Sequence, residues 1–214
     1  MTDLPAKPAQ ASNPEVSSLE ISSLGMWLFL ATEVMFFGAV FTAYMIYRRA
    51  YPAAFAEASS HLNILLGSTN TAILLTSSLA MALAVHAAQL GKRKTLIFFL
   101  FATIVLGLIF LGVKGLEWYQ EFQAHLYPGG IFEYPGNDPA KAKLFFSLYF
   151  TLTGLHAVHM IIGIFLLAVL TFFAWRGRFS IRYYTPVEIV GLFWHFIDIV
   201  WIFIFPLLYL IHRS

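Results

Sequence analysis

LFWHFIDIVWIFIFPLLY, residues 192–209, is apolar enough to cross a bilayer, yet it carries His195 and Asp198 three residues apart. On a helix that spacing places both side chains on one face. Trp194, Asp198 and Trp201 follow at i, i+4 and i+7, so the polar pair sits inside an aromatic stripe. A carboxylate in hydrocarbon is costly and normally faces the bundle interior with a partner. Spacing leaves two readings open: a structural His–Asp pair that locks helix packing, or a metal or proton site. Both place the run inside a packed membrane bundle.

The rest of the chain has the same character. Of its 214 residues, 59% are hydrophobic and only 11% charged, where soluble domains carry about a quarter. Long apolar runs alternate with short polar ones, which predicts an all-α, polytopic membrane bundle of five transmembrane helices at about 22–47, 63–88, 95–118, 144–175 and 187–211. Residues 1–21 hold Pro5, Pro8 and Pro14 without an apolar core. They are expected to form a flexible tail, not a cleaved signal peptide, ahead of a single membrane domain at 22–214. A net charge of +2 offers no nucleic-acid footprint. The absence of cysteine excludes disulfides, thiolate metal sites and CxxCH haem attachment. No internal repeat supports an inverted-repeat transporter. Lys7, Lys92, Arg93, Lys94, Arg176, Arg178 and Arg182 on one side outnumber Arg48, Arg49, Lys141, Lys143 and Arg213 on the other, so the N-terminus is expected inside.

Each span holds its own polar candidates. Glu33 lies at the centre of the first and is expected to pair with a neighbouring helix, face water, or stay neutral. In the second, Asn63, Gly67, Asn70, Leu74 and Ser77 form a small and polar face, read as a helix-packing surface. His86, at that span's end, reads as interfacial. The third carries Gly107, Gly112 and Gly115 and ends in Lys114, Glu117 and Glu121. Lys114 and Glu117 are i, i+3 neighbours and read as a snorkelling pair at the membrane boundary. The loop that follows, rich in Pro and Gly, is long enough to fold back over the bundle or touch a partner. In the fourth span, His156 and His159 share a face at i, i+3. They suit either metal ligation or hydrogen bonds to Glu33 or Asp198.

WHFIDIVWIF closely resembles the last helix of subunit III of the heme-copper respiratory oxidases, usually written WHFxDxVWxF. Other segments match in order. MWLFLATEVMFF is similar to that family's buried-carboxylate segment, with Thr32 where Ser is common. Asn70-Thr71 resembles its Asn-Thr pair, and KGLEWYQEF its Glu-aromatic helix ending, with Glu117 as the matching residue. GLHAVHMIIG is similar to TGxHGxHVxxG, with Ala157 where Gly is usual. The resemblance spans about residues 24–212 and points to the short, five-helix bacterial form, since residues 1–21 cannot supply two further helices. It implies a non-redox accessory subunit of a proton-pumping terminal oxidase in the bacterial cytoplasmic membrane. Such a subunit binds subunit I directly, beside subunits II and IV, and holds phospholipid. Haem and copper are expected in partner subunits and no cofactor in this chain. Indeed, a catalytic haem–copper core needs more membrane-buried imidazoles than His156, His159 and His195 supply. Glu33, Asn70, Glu117, His156, His159, His195 and Asp198 are the buried polar candidates. Alternatives are a quinol oxidase subunit, a nitric-oxide-reductase-associated relative, or a proton- or metal-coupled carrier.

Overall fold

The computed structural model describes residues 14–129, 132–180 and 183–210, with no side-chain detail for residues 14–22. They form six helices: α1 (Pro14–Ala50), α2 (Pro52–Ser59), α3 (Ile64–Gln89), α4 (Arg93–Gln123), α5 (Pro139–Trp175) and α6 (Thr185–Tyr209). Five have stretches long and apolar enough to span a membrane, starting with Ser23–Ala50 in α1. α1 begins at Pro14, so its helix reaches back into the expected tail; residues 1–13 lie outside the described set.

Local chemistry sets the helix ends. Asn63 caps α3, its side-chain oxygen accepting from Leu65 N at 3.0 Å and Leu66 N at 3.3 Å. Asp138 caps α5 by accepting from Lys141 N at 3.4 Å, just ahead of Pro139 at the first helical position. The Lys141 ammonium beside the Asp138 carboxyl holds it below the usual carboxylate range. Past the ends of α3 and α5, Gly91 (φ 68°) and Gly177 (φ 75°) take the left-handed conformation. There Lys92 N returns to Ala87 O at 2.9 Å and Arg178 N to Phe173 O at 3.1 Å, closing both helices with Schellman turns.

α3, α4, α5 and α6 form a ring in which each packs on its neighbours, and α1 lies outside it against α5 and α6. Membrane helices gain no hydrophobic driving force from lipid, so close packing and interhelical bonds hold them together. The ring's centre is filled by Trp194. A Cβ at Gly107 of α4 would stand 2.9 Å from its ring, and one at Gly163 of α5 also 2.9 Å. Those two glycines create the hollow that admits the indole. α1 is tied down by Tyr44, whose hydroxyl donates to Leu207 O at 2.7 Å.

α4 runs to Gln123 and α5 starts at Pro139, each about a turn beyond the expected span. α2 has no counterpart in the sequence reading; it buries Phe55 and Ala58 against the start of α5. The α4–α5 segment does fold back over the bundle. Leu126 is buried, Phe132 meets Phe146 (6.1 Å between centroids) and Tyr134 meets His61 (5.3 Å).

Candidate functional site

α6 faces α3 through a ladder of side-chain bonds. Trp201 Nε1 donates to Thr71 Oγ1 at 3.1 Å, and Trp194 Nε1 donates to Ser77 Oγ at 3.1 Å. His195 Nδ1 shares a 2.7 Å bond with Ser78 Oγ, and Gln89 Nε2 donates to Glu188 Oε1 at 2.9 Å. The indoles bury wholly in the ring, so their N–H groups need acceptors there. The small hydroxyl residues of α3 supply them while letting the backbones approach.

The expected His195–Asp198 pair does not form. His195 turns to Ser78 instead, and Asp198, only 3% exposed, has neither carboxyl oxygen in a hydrogen bond among the described residues. Side chains at i, i+3 share a face but project outward toward the neighbouring helix, so a hydroxyl on α3 is easier for His195 to reach than a carboxyl on its own helix. Asn70 lies on the α3 packing face with Gly67, Leu74 and Ser77, all buried, and neither of its polar atoms finds a partner among the described residues. His86 is exposed at the end of α3.

His156 and His159 part company. His159 Nε2 meets Glu33 Oε2 at 3.1 Å, joining α5 to α1, and its Nδ1 lies 2.8 Å from Leu155 O. Of the readings left open for Glu33, this contact corresponds to a pairing with a neighbouring helix. His156 instead packs between Phe110 and Trp201, with ring centroids 5.4 and 5.0 Å away, and neither ring nitrogen has a partner among the described residues. The two imidazoles answer to different neighbours, and no group of three or more His, Asp or Glu side chains converges among the described residues.

Lys114 and Glu117 pair at 3.0 Å, but they do not snorkel. Both are 2% exposed, enclosed by α5 and α6. Lys114 Nζ also donates to Tyr149 OH at 2.9 Å and Tyr209 OH at 2.7 Å, and Tyr209 OH donates to Glu117 Oε1 at 2.5 Å. Two phenols from distant helices therefore replace the water that a boundary lysine would otherwise seek. Glu121, one turn on, is buried with both oxygens unbonded among the described residues. Tyr149, Tyr209 and Ser78 are the site residues that sequence reasoning missed, while Ser77 was read only as part of a packing face. Only the polarity of these positions inside apolar spans hinted at them.

The family model described as cytochrome c oxidase subunit III matches residues 16–212. The chain belongs to the cytochrome c oxidase subunit III family. It is similar to the cytochrome c oxidase subunit 3 of Synechocystis sp. (34% identical over 197 residues, 90% of this chain and 76% of the relative). The protein of that name from Alkalihalophilus pseudofirmus is 33% identical over 202 residues, 93% of this chain and 92% of the relative. The cytochrome bo(3) ubiquinol oxidase subunit 3 of Pseudomonas aeruginosa is 32% identical over 186 residues, 87% of this chain and 83% of the relative. In this subunit III chain the family-like segments meet one another. Glu33 of one bonds His159 of another, and Thr71, beside Asn70, accepts from Trp201 of the WHFIDIVW run. Glu117 accepts from Tyr209, just beyond that run.

Proposed function

We propose that this chain is the accessory, non-redox subunit III of a bacterial proton-pumping terminal oxidase. It covers the flank of catalytic subunit I, beside subunits II and IV, and holds phospholipid against it. The chain is a multi-pass protein of the cytoplasmic membrane with its N-terminus inside and its C-terminus outside. The observation that carries this reading is the use of the signature side chains. Glu33, His159, Trp194, His195, Trp201, Glu117 and Tyr209 all spend hydrogen bonds on joining one helix to another. Such bonds make a rigid wall, and a rigid wall suits a role in support. Haem and copper, and with them oxygen reduction, belong to the partner subunits.

The electron donor is cytochrome c or quinol. The relatives named cytochrome c oxidase and ubiquinol oxidase differ by two percentage points or less in identity (34, 33 and 32%), which keeps the quinol reading beside the first. Steady-state turnover of the purified complex with each donor decides between them.

The test is depletion. Oxidase lacking this subunit is expected to keep its optical spectrum, then turn over more slowly at high pH and inactivate within fewer cycles than the intact complex. A 1.4 kcal/mol rise in the barrier to proton uptake already slows that step about tenfold. Oxygen consumption followed against time reads both effects. Equal rates and lifetimes with and without the chain overturn the accessory role, and ion flux by the isolated chain in liposomes favours a carrier.

A further inference from the structure

The outer side of the α3–α6 contact holds a groove of about 380 Å³, lined by Ala82 and Val85 of α3 and by Glu188, Gly191, Leu192 and His195 of α6. His195 reaches it partly buried. Its Nδ1 is taken by Ser78, while Nε2 has no partner among the described residues and is not enclosed by the bundle. Ser78 stands eleven residues before the end of α3 at Gln89, which is roughly 16 Å along the helix. In a hydrocarbon core about 30 Å thick that is near mid-depth. The neighbours on the same surface are plain lipid-type side chains: Leu75 is 51% exposed, Leu79 61% and Ile199 51%.

An imidazole nitrogen open to the middle of a membrane needs a hydrogen-bonding partner, because acyl chains offer none and an unsatisfied polar group there is costly. Lipid headgroups lie some 15 Å away at the interface. A side chain on another membrane helix does reach. The groove suits one: Ala82, exposed on α3, is small, which lets a second backbone come close, and Val85 and Leu192 beside it are apolar.

We infer that the α3–α6 groove seats a transmembrane helix of another subunit, which presents a hydroxyl, amide or carboxyl group to His195 Nε2. The inference rests on the accessory-subunit reading and extends it by naming the face and the contact. Ser78 then has a positioning role: its bond to Nδ1 fixes the ring so that Nε2 points outward. The α1 side, where Glu33 already satisfies His159, makes no such demand.

The experiment uses the intact complex, with a photo-crosslinking phenylalanine analogue placed beside the groove at Leu79 or Ile199, both exposed. Neither residue lines the groove, so Ala82 and His195 stay as they are. After irradiation in native membranes, mass spectrometry is expected to find the adduct on a membrane-spanning peptide of another subunit. Adducts on lipid alone, or on a second copy of this chain, overturn the inference. A failure of the accessory reading appears separately, as purified material without haem, and the adduct still reports what covers the groove. A second measurement follows loss of the chain from the complex in detergent. His195→Phe is expected to dissociate three- to tenfold faster, the range an interhelical membrane hydrogen bond implies. His195→Gln, whose amide reaches the same position, should stay within about twofold of wild type by the same reasoning. Equal dissociation of the Phe and Gln variants also overturns the inference.

Discussion

Lys114→Met is the sharpest test of how this bundle is held. The substitution keeps the length and apolar stem of the side chain and removes the ammonium that joins Glu117, Tyr149 and Tyr209. Glu117 retains the Tyr209 hydroxyl, but at 2% exposure it loses the cation that pairs with it. Breaking a buried pair from one side costs about 3–5 kcal/mol, whereas an exposed pair contributes about 0–1. The retained phenol bond argues for the lower end, near 3 kcal/mol, a little over a hundredfold in the folding equilibrium. Adding Glu117→Leu to Lys114→Met removes the stranded charge and should recover about 2 kcal/mol, a coupling typical of residues in one network. The assay is reversible unfolding in mixed micelles, followed by tryptophan fluorescence. A single-variant cost under about 1 kcal/mol, or an additive double variant, refutes the buried-pair account.

Other expectations follow from the same contacts. Gly163→Ala drives a methyl against Trp194 and should cost about 1–3 kcal/mol by overpacking, with Trp194→Phe in the same chain relieving part of it; the unfolding assay reads both. Single cysteines at Ser180 and Asn137, introduced into a chain that has none, should react with impermeant thiol reagents from opposite faces of the membrane. Labelling from the same face removes the five-span topology. Asp138 is held below its ordinary range by Lys141, so its contribution to capping α5 is full above the unfolded carboxylate range and is lost as pH falls through the depressed folded value. Asp138→Asn keeps a capping oxygen and should flatten that acid limb in a stability-against-pH profile.

Hydropathy made five spans legible because each must cross the same thickness of hydrocarbon, and a run such as 192–209 allows no other use. α2 escaped because eight residues held by a buried phenylalanine carry no periodic signal of their own. The candidate residues were legible as polar groups in apolar runs, yet their partners were not. Same-face spacing suggested His195 with Asp198, but register across the α3–α6 contact brings Ser78 to the imidazole first. Lys114 looked interfacial because it lies near the end of an apolar run. What buries it are Tyr149 and Tyr209, 35 and 95 residues away in the chain. Glu33 was the easier case: on the facing helix α5, His159 met it while His156 turned to Phe110 and Trp201.

The Trp194 plug bears on the order in which the chain is made. Until α6 leaves the ribosome, the hollow at Gly107 and Gly163 is unfilled, Thr71 and Ser77 lack the indole donors that α6 brings, and Ser78 lacks its imidazole partner. α6, made after the three helices it joins into the ring, is thus its keystone, and nascent chains that stop short of it present a stripe of hydroxyls to lipid. Chains truncated in the loop before residue 185 accordingly differ from finished subunits in the surface chemistry they show to lipid.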